Sequence, residues 1–336
     1  MPVAAAHASK MWGVYFRYGS PDQRDPGLMH RAHIKTVRFP IYWYQVQPQE
    51  KGPYNWGPYD QRIGAFASRG IVTLPTLQGP PGYAAGDIDT PPVGSGKSRR
   101  EWKAFVRAAV RRYGRHGKYW RHAYHSQFGH HHPRPIKYWE VWNEPNLPRF
   151  NHAKHPVKAF AKLVKISHRP IHRRHGKLVL GGIPDGPKFH FWAFLNRLYR
   201  VHGIKRKFEV VDAHPYSASI HELRGRMNRY RHVMNKHHDR RTPIFIGEFG
   251  WGSGRPDGDV NRGLHGQARM LKRSFRLFVH HRKKWHLKRV IWYEWRDPAS
   301  STPGEQCPFC DVSGLLRSDF SKKPAYRAYK HFAGHH

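Results

Sequence analysis

Only two cysteines occur in 336 residues, too few for a disulfide scaffold or a four-thiolate zinc site. Acidic residues are also scarce, 22 Asp and Glu against 60 Lys and Arg, which leaves a formal charge of +38 before any of the 28 histidines is counted. No apolar run exceeds strand length, so a transmembrane helix is excluded. Glycine and proline follow no period, which excludes collagen-like and simple low-complexity chains. There is no zinc-finger spacing, no RNA-recognition signature and no basic heptad zipper. The basic residues are scattered (Arg111, Arg112 and Arg115; Arg240 and Arg241; Arg282, Lys283 and Lys284) rather than gathered on one element, so no specific nucleic-acid partner is expected. The excess charge reads as a solvated surface or as a match for an anionic polymer.

What is present argues for a folded domain. Aromatic residues make up 14% of the chain, too many for intrinsic disorder despite the charge. The cysteines stand together in Cys307-Pro308-Phe309-Cys310, a spacing open to a loop disulfide, a redox pair or half a metal site. The flanks, with Asp311, Ser313 and Gly314 after the pair, read as loop and favour the disulfide, which belongs to an oxidising compartment. Residues 1–9 read as a disordered, Ala-rich segment. Within it Ala6-His7-Ala8 has the small-residue pattern of a signal-peptide cleavage site, so a secreted protein is expected, with the hydrophobic part of its leader missing from this start. His130-His131-His132 offers no single ligand face and reads as a solvated loop rather than a metal site.

Eight strand-like apolar runs, at 11–16, 36–43, 71–77, 136–142, 178–183, 208–213, 243–249 and 290–295, alternate with helix-like stretches. Several runs are continuously apolar, as in parallel strands buried on both faces. Between them Trp102, Phe105, Val106, Ala109, Val110 and Tyr113 make one helical stripe, and Ala268, Leu271, Phe275 and Phe278 another. Tyr326, Tyr329 and Phe332 predict a closing helix starting near Pro324. The stretch 122–134 reads as a long loop. No Gly-rich phosphate loop follows the first run, which argues against a doubly wound dinucleotide fold. The pattern predicts an α/β chain folded as a single (β/α)8 TIM barrel over residues 10–336, with its chemistry at the C-terminal ends of the strands.

Two glutamates stand at such ends. Glu144 follows the fourth run in Trp142-Asn143-Glu144-Pro145-Asn146, and Glu248 ends the seventh in Ile246-Gly247-Glu248-Phe249. Strands four and seven face each other across an eight-stranded barrel, so both carboxyls can reach one mouth. Two carboxyls across a cleft, one protonated and one ionised, suit cleavage of a glycosidic bond. Here the sequence resembles the clan of retaining (β/α)8 glycoside hydrolases that includes cellulase family 5 and xylosidase/iduronidase family 39. The resemblance rests on Asn143-Glu144, Glu248, Arg38 in Val37-Arg38-Phe39-Pro40, His214-Pro215-Tyr216, and Trp295. It implies Glu144 as acid/base, Glu248 as nucleophile and Asn143 on the sugar 2-hydroxyl. It further implies Arg38 orienting the nucleophile, His214 and Tyr216 flanking it, and Trp295 as an aromatic platform under the sugar. Glu140 reads as a buried structural carboxylate, and Glu294 and Asp297 as structural or substrate-contact groups. Trp43 and Trp251 are candidates for a longer stacking groove, and Trp56 for a structural anchor of the second helix. The resemblance implies no metal and no organic cofactor, and an oligo- or polysaccharide substrate, possibly anionic, for a monomeric enzyme. The alternative is a non-catalytic polysaccharide- or polyanion-binding protein on a degenerate barrel.

Overall fold

A computed structural model describes residues 10–17, 21–186, 188–299, 307 and 309–335. The expected disordered segment at 1–9 and parts of the loop before Cys307 lie outside the described residues. The strand segments are β1 (Trp12–Tyr15), β2 (Thr36–Tyr42), β3 (Val72–Gln78), β4 (Tyr138–Val141), β5 (Lys177–Leu180), β6 (Ile183–Pro184), β7 (Val211–His214), β8 (Ile244–Phe249) and β9 (Leu287–Trp292). All pair in parallel, in the order β5-β4-β3-β2-β1-β9-β8-β7-β6. Val179 of β5 also bridges Val210, just ahead of β7, so the two ends of this order meet.

The sequence predicts eight strands, and nine segments are found among the described residues, because the fifth apolar run divides at Gly181-Gly182. A Cβ at Gly181 would lie 2.5 Å from the Trp142 carbonyl oxygen, and one at Gly182 would collide with the His214 imidazole. The backbone there runs hard against its neighbours and leaves the ladder. Its Gly182 N–H turns to a side chain instead, donating to Glu140 Oε1 at 3.1 Å.

Helices fill the connections, and their apolar stripes face the sheet. In the helix Gly96–Tyr113 every stripe residue named above is buried, as are Leu271, Phe275 and Phe278 in Gly263–Trp285. Ser95 caps the first of these by accepting from the Ser98 N–H. The closing helix spans Pro324–His335 and buries Tyr326, Tyr329 and Phe332. Trp56 is buried and stacks on Phe105 at 6.3 Å, immediately before the helix Gly57–Ala67. A short helix, Ala123–Phe128, stands where a loop was expected. Tyr124 and Phe128, one turn apart, stack at 5.6 Å, and Tyr124 also packs on Trp120 at 5.2 Å. The anchoring comes from aromatic packing that propensity does not reveal.

Leu74, Val179, Val210 and Phe245 form a small apolar cluster of their own, contributed by different strands and separate from the main sheet–helix core. Two residues further along the chain the side chains change character, to Thr76 on β3 and Asp212 on β7; Glu140 pairs in register with Thr76, and Arg38 with Leu74 itself. The polar site therefore stands on an apolar floor.

Candidate active site

Arg38 organises the centre. Its guanidinium is 1% exposed; Nε donates to Glu140 Oε2 at 2.6 Å and one terminal nitrogen to Glu140 Oε1 at 2.9 Å, a two-pronged pair. The other terminal nitrogen donates to Glu248 Oε1 at 2.5 Å. Burial opposes the Arg38 charge, but Glu140 and Glu248 outweigh it and raise the group well above its ordinary value. Glu140, wholly buried, also accepts from Thr76 Oγ1 at 2.7 Å. Burial would raise Glu140, yet Arg38 holds it below the ordinary carboxylate value. Its expected structural role fits these contacts.

Glu248 reaches this centre through a strand irregularity. Between the register pairs Ile246–Val290 and Phe249–Trp292, β8 advances one residue more than β9, which is a β-bulge. Gly247 faces inward, since a Cβ there would strike the Asp212 carboxyl. With the bulge, the next side chain also turns toward Arg38 rather than away. Glu248 Oε2 accepts from the Tyr216 hydroxyl at 2.8 Å, so both of its oxygens are hydrogen-bonded.

Glu144 lies beyond β4 on backbone with φ +43°, after Trp142 at φ +73°, a left-handed excursion that swings the chain over the sheet. Burial pushes its carboxyl up to about 7, against the pull of Arg38 and Arg149. His214, fully buried at the end of β7, places Nδ1 2.9 Å from Glu144 Oε1 and 3.7 Å from Glu248 Oε2. Burial lowers this imidazole to about 4, so it is neutral near pH 7. One oxygen each of Glu144 and Glu248 and a nitrogen of His214 lie within 4.8 Å of one another. Such donors could hold a cation, but the Arg38 guanidinium already occupies Glu248 Oε1 and supplies positive charge there. The arrangement offers a proton on one carboxyl opposite a second carboxyl fixed by Arg38 and Tyr216.

A cleft of about 320 Å³ opens over this pair. It brings together Asn143, Glu144, Tyr216 and Glu248 of the predicted set, and Arg38 and His214 lie just beneath. Asn143 Oδ1 accepts from Arg38 at 2.9 Å, which leaves its amide NH2 as the donor it can offer in the cleft. Trp295 is not on the cleft. It is 1% exposed and donates through Nε1 to Asp25 Oδ1 at 2.8 Å, behind the sheet beside Tyr326. β9 ends three residues earlier than Trp295, and the residue that follows β9 onto the cleft wall is Tyr293. Trp43 and Trp251 are likewise buried; Trp43 stacks on Phe105 at 5.5 Å, so neither extends a groove. Glu294 is buried 3.8 Å from Arg17, and Asp297 pairs with Lys323; both are structural partners.

Sequence reasoning missed Tyr15, Gln78, Arg149, Tyr293 and Phe309 on the cleft, and Asp212 below it. Asp212 did leave a signal, an acid inside the apolar run Val210-Val211-Asp212-Ala213. Burial first, then the charge of Glu140, pushes it well above the ordinary value. Tyr15 and Gln78 are the last residues of β1 and β3, and Arg149, Tyr293 and Phe309 stand beyond strand ends, where their aim depends on the backbone path.

No protein-family model matches the sequence, and no curated protein matches it. The fold is similar to solved structures. A family 39 glycoside hydrolase from the gut symbiont Bacteroides cellulosilyticus WH2 superposes with TM-score 0.74 at 20% identity, over 97% of this chain and 64% of that one. A GH39 β-xylosidase from Caulobacter crescentus gives 0.63 at 18% identity, over 97% and 71%. The exo-β-1,4-mannosidase Op5Man5 from Opitutaceae bacterium strain TAV5 gives 0.66 at 15% identity, over 96% and 59%. The chain thus spans less than two thirds of the first of these proteins.

Proposed function

We propose that the chain is a glycoside hydrolase that cleaves β-glycosidic bonds with retention, by double displacement. The carrying observation is the pair itself: Glu144 held protonated up to about pH 7 by burial, and Glu248 bound by Arg38 and Tyr216, with oxygens within 4.8 Å. That spacing fits retaining enzymes, whose carboxyls stand about 5–5.5 Å apart, rather than inverting ones with room for a water between. Glu248 attacks the anomeric carbon while Glu144 protonates the leaving oxygen. Glu144 then takes a proton from water, which releases the sugar from Glu248 with its configuration kept. Asn143 donates to the 2-hydroxyl, and His214 keeps Glu144 oriented without carrying charge.

In this reading β5 and β6 are one interrupted stave, so the nine segments form a (β/α)8 barrel, and residues 10–336 are one monomeric catalytic domain. The Cys307–Cys310 disulfide favours secretion, since such bonds persist in oxidising compartments. No described helix is long and apolar enough to cross a membrane. The structural neighbours include a β-xylosidase and a mannosidase, so xylosides and mannosides lead a hydrolysis screen that extends to glucans and acidic polysaccharides. In that screen Glu248→Gln and Glu144→Gln should each lower turnover at least 100-fold on natural glycans, on the order of what acid–base groups contribute. Near-wild-type turnover in either variant overturns the assignment.

A further inference from the structure

We infer that the Cys307–Cys310 disulfide loop is a positioning device for Glu248, acting through Phe309 and Tyr216; this rests on the reading of Glu248 as nucleophile. The two cysteines are bonded, and both line the cleft together with Phe309. Phe309 sits inside the short covalent ring that they close. Its aromatic ring meets that of Tyr216 edge-on, with centroids 5.3 Å apart. The other rings near Tyr216 are more distant, Tyr293 at 6.2 Å and His214 at 6.4 Å. Tyr216 in turn supplies the 2.8 Å hydrogen bond to Glu248 Oε2, one of the two bonds that fix this carboxylate.

The chain just past Cys310 is tied down. Asp311 accepts from Arg17 at 3.1 Å, the Val312 carbonyl accepts from the Ser253 N–H at 2.8 Å and from Lys323 Nζ at 3.0 Å, and Ser313 Oγ donates to the Cys310 carbonyl at 3.0 Å. On its other side Phe309 is held by the disulfide. Tyr216 has torsional freedom about its side chain, and the Phe309 ring limits it to the rotamer that reaches Glu248. Reduction frees that side of the loop. With a phosphine reductant, two electrons pass to the sulfurs, water supplies two protons and the oxygen of the phosphine oxide, and two thiols result. Tyr216 then loses its brace while the tied segment after Cys310 stays in place. A disulfide that closes so short a loop constrains the unfolded chain little compared with a long one. Its effect should therefore appear in activity more than in global stability.

The test is a double-mutant cycle on an aryl glycoside of whichever sugar the screen identifies, with kcat and KM measured separately. Phe309→Ala should lower kcat/KM about 10-fold, as expected for weakening a hydrogen bond to a charged group. In the Tyr216→Phe background the same change should cost less than about 2-fold, because the bond it supports is already gone. Phe309→Tyr, which keeps the ring, should restore activity. Phosphine treatment of the wild-type enzyme, and Cys307→Ser with Cys310→Ser, should reproduce the Phe309→Ala loss in kcat while moving Tm by less than about 3 °C; reoxidation should reverse the phosphine effect. Additive losses in the cycle, or an unchanged kcat after reduction, overturn the positioning role while the enzyme reading stands. A wild-type protein that cleaves no glycoside overturns the enzyme reading itself.

Discussion

At Glu144 the carboxyl that the proposed mechanism needs protonated is kept from ionising by the burial that encloses it. In the unfolded chain the group has its ordinary value of 4.5, and in the folded protein about 7. The folded state therefore binds more protons than the unfolded state between these values, and its stability falls as pH rises through that window. A shift of this size corresponds to about 3 kcal/mol once both states are ionised. Glu144→Gln removes the anion, so it should be more stable than wild type above pH 7, by up to about 3 kcal/mol, with the gain vanishing toward pH 4. Urea midpoints measured from pH 4 to 8 read this directly; a gain that does not change with pH refutes it. The proposed catalysis depends on the same proton. In the wild-type enzyme kcat/KM should fall above an apparent pKa near 7 as Glu144 loses its proton. An alkaline limb above pH 9 would place the acid elsewhere. His214 leans the other way: burial takes its imidazole from 6.5 to about 4, so its contribution to stability is present above the unfolded value and is lost as pH falls through the folded one.

The strands carry these side chains through departures from regular geometry. Glu248 faces Arg38 only because β8 bulges, and Glu144 reaches the mouth only because the chain turns left-handed after β4. The break between β5 and β6 sets Gly182 under the His214 ring, with its N–H on Glu140. Gly182→Ala should thus push on His214 and displace it from Glu144. A stability loss of about 1–3 kcal/mol is expected for overpacking at this buried site, with turnover reduced as well; a urea midpoint and kcat both equal to wild type would show that the ring yields freely. These same irregularities mark where the sequence stops being readable. Continuous apolar runs and helical stripes were enough to place the strands and the helices Gly96–Tyr113, Gly263–Trp285 and Pro324–His335, because burial on one or both faces dictates residue type over many positions. The pairing of Asn143-Glu144 with Glu248 was legible because chemistry limits which residues can stand there. The resemblance assigns Trp295, at the end of the eighth apolar run, to the cleft, but periodicity does not say where β9 releases the chain, and three residues decide whether Tyr293 or Trp295 faces the cleft. A bulge or a two-residue break carries no hydrophobic period of its own, so neither could be foreseen.

Over the whole molecule the charge balance is more lopsided at the surface than composition implies. Asp25, Asp60, Glu140, Glu144, Asp212, Asp239, Glu248 and Glu294 are all buried, so a good part of the 22 acids is unavailable to offset cations outside. The surface is left with Lys and Arg distributed over most helices, including Lys272, Arg273, Arg276, Lys283 and Lys284 on Gly263–Trp285. Folding concentrates this charge, and the resulting repulsion opposes the compact state. Added salt shortens the reach of that repulsion from about 30 Å at 0.01 M to about 3 Å at 1 M. The ion pairs at Arg38 are buried and screened far less. Raising NaCl from 10 mM to 500 mM should therefore increase Tm, by about 1–3 °C for a chain of this size if roughly 1–2 kcal/mol of repulsion is relieved. The increase should follow ionic strength whichever monovalent anion is used. A Tm that falls with salt would mean that exposed ion pairs outweigh the like-charge repulsion, and the scattered basic residues would then have to be regarded as partnered.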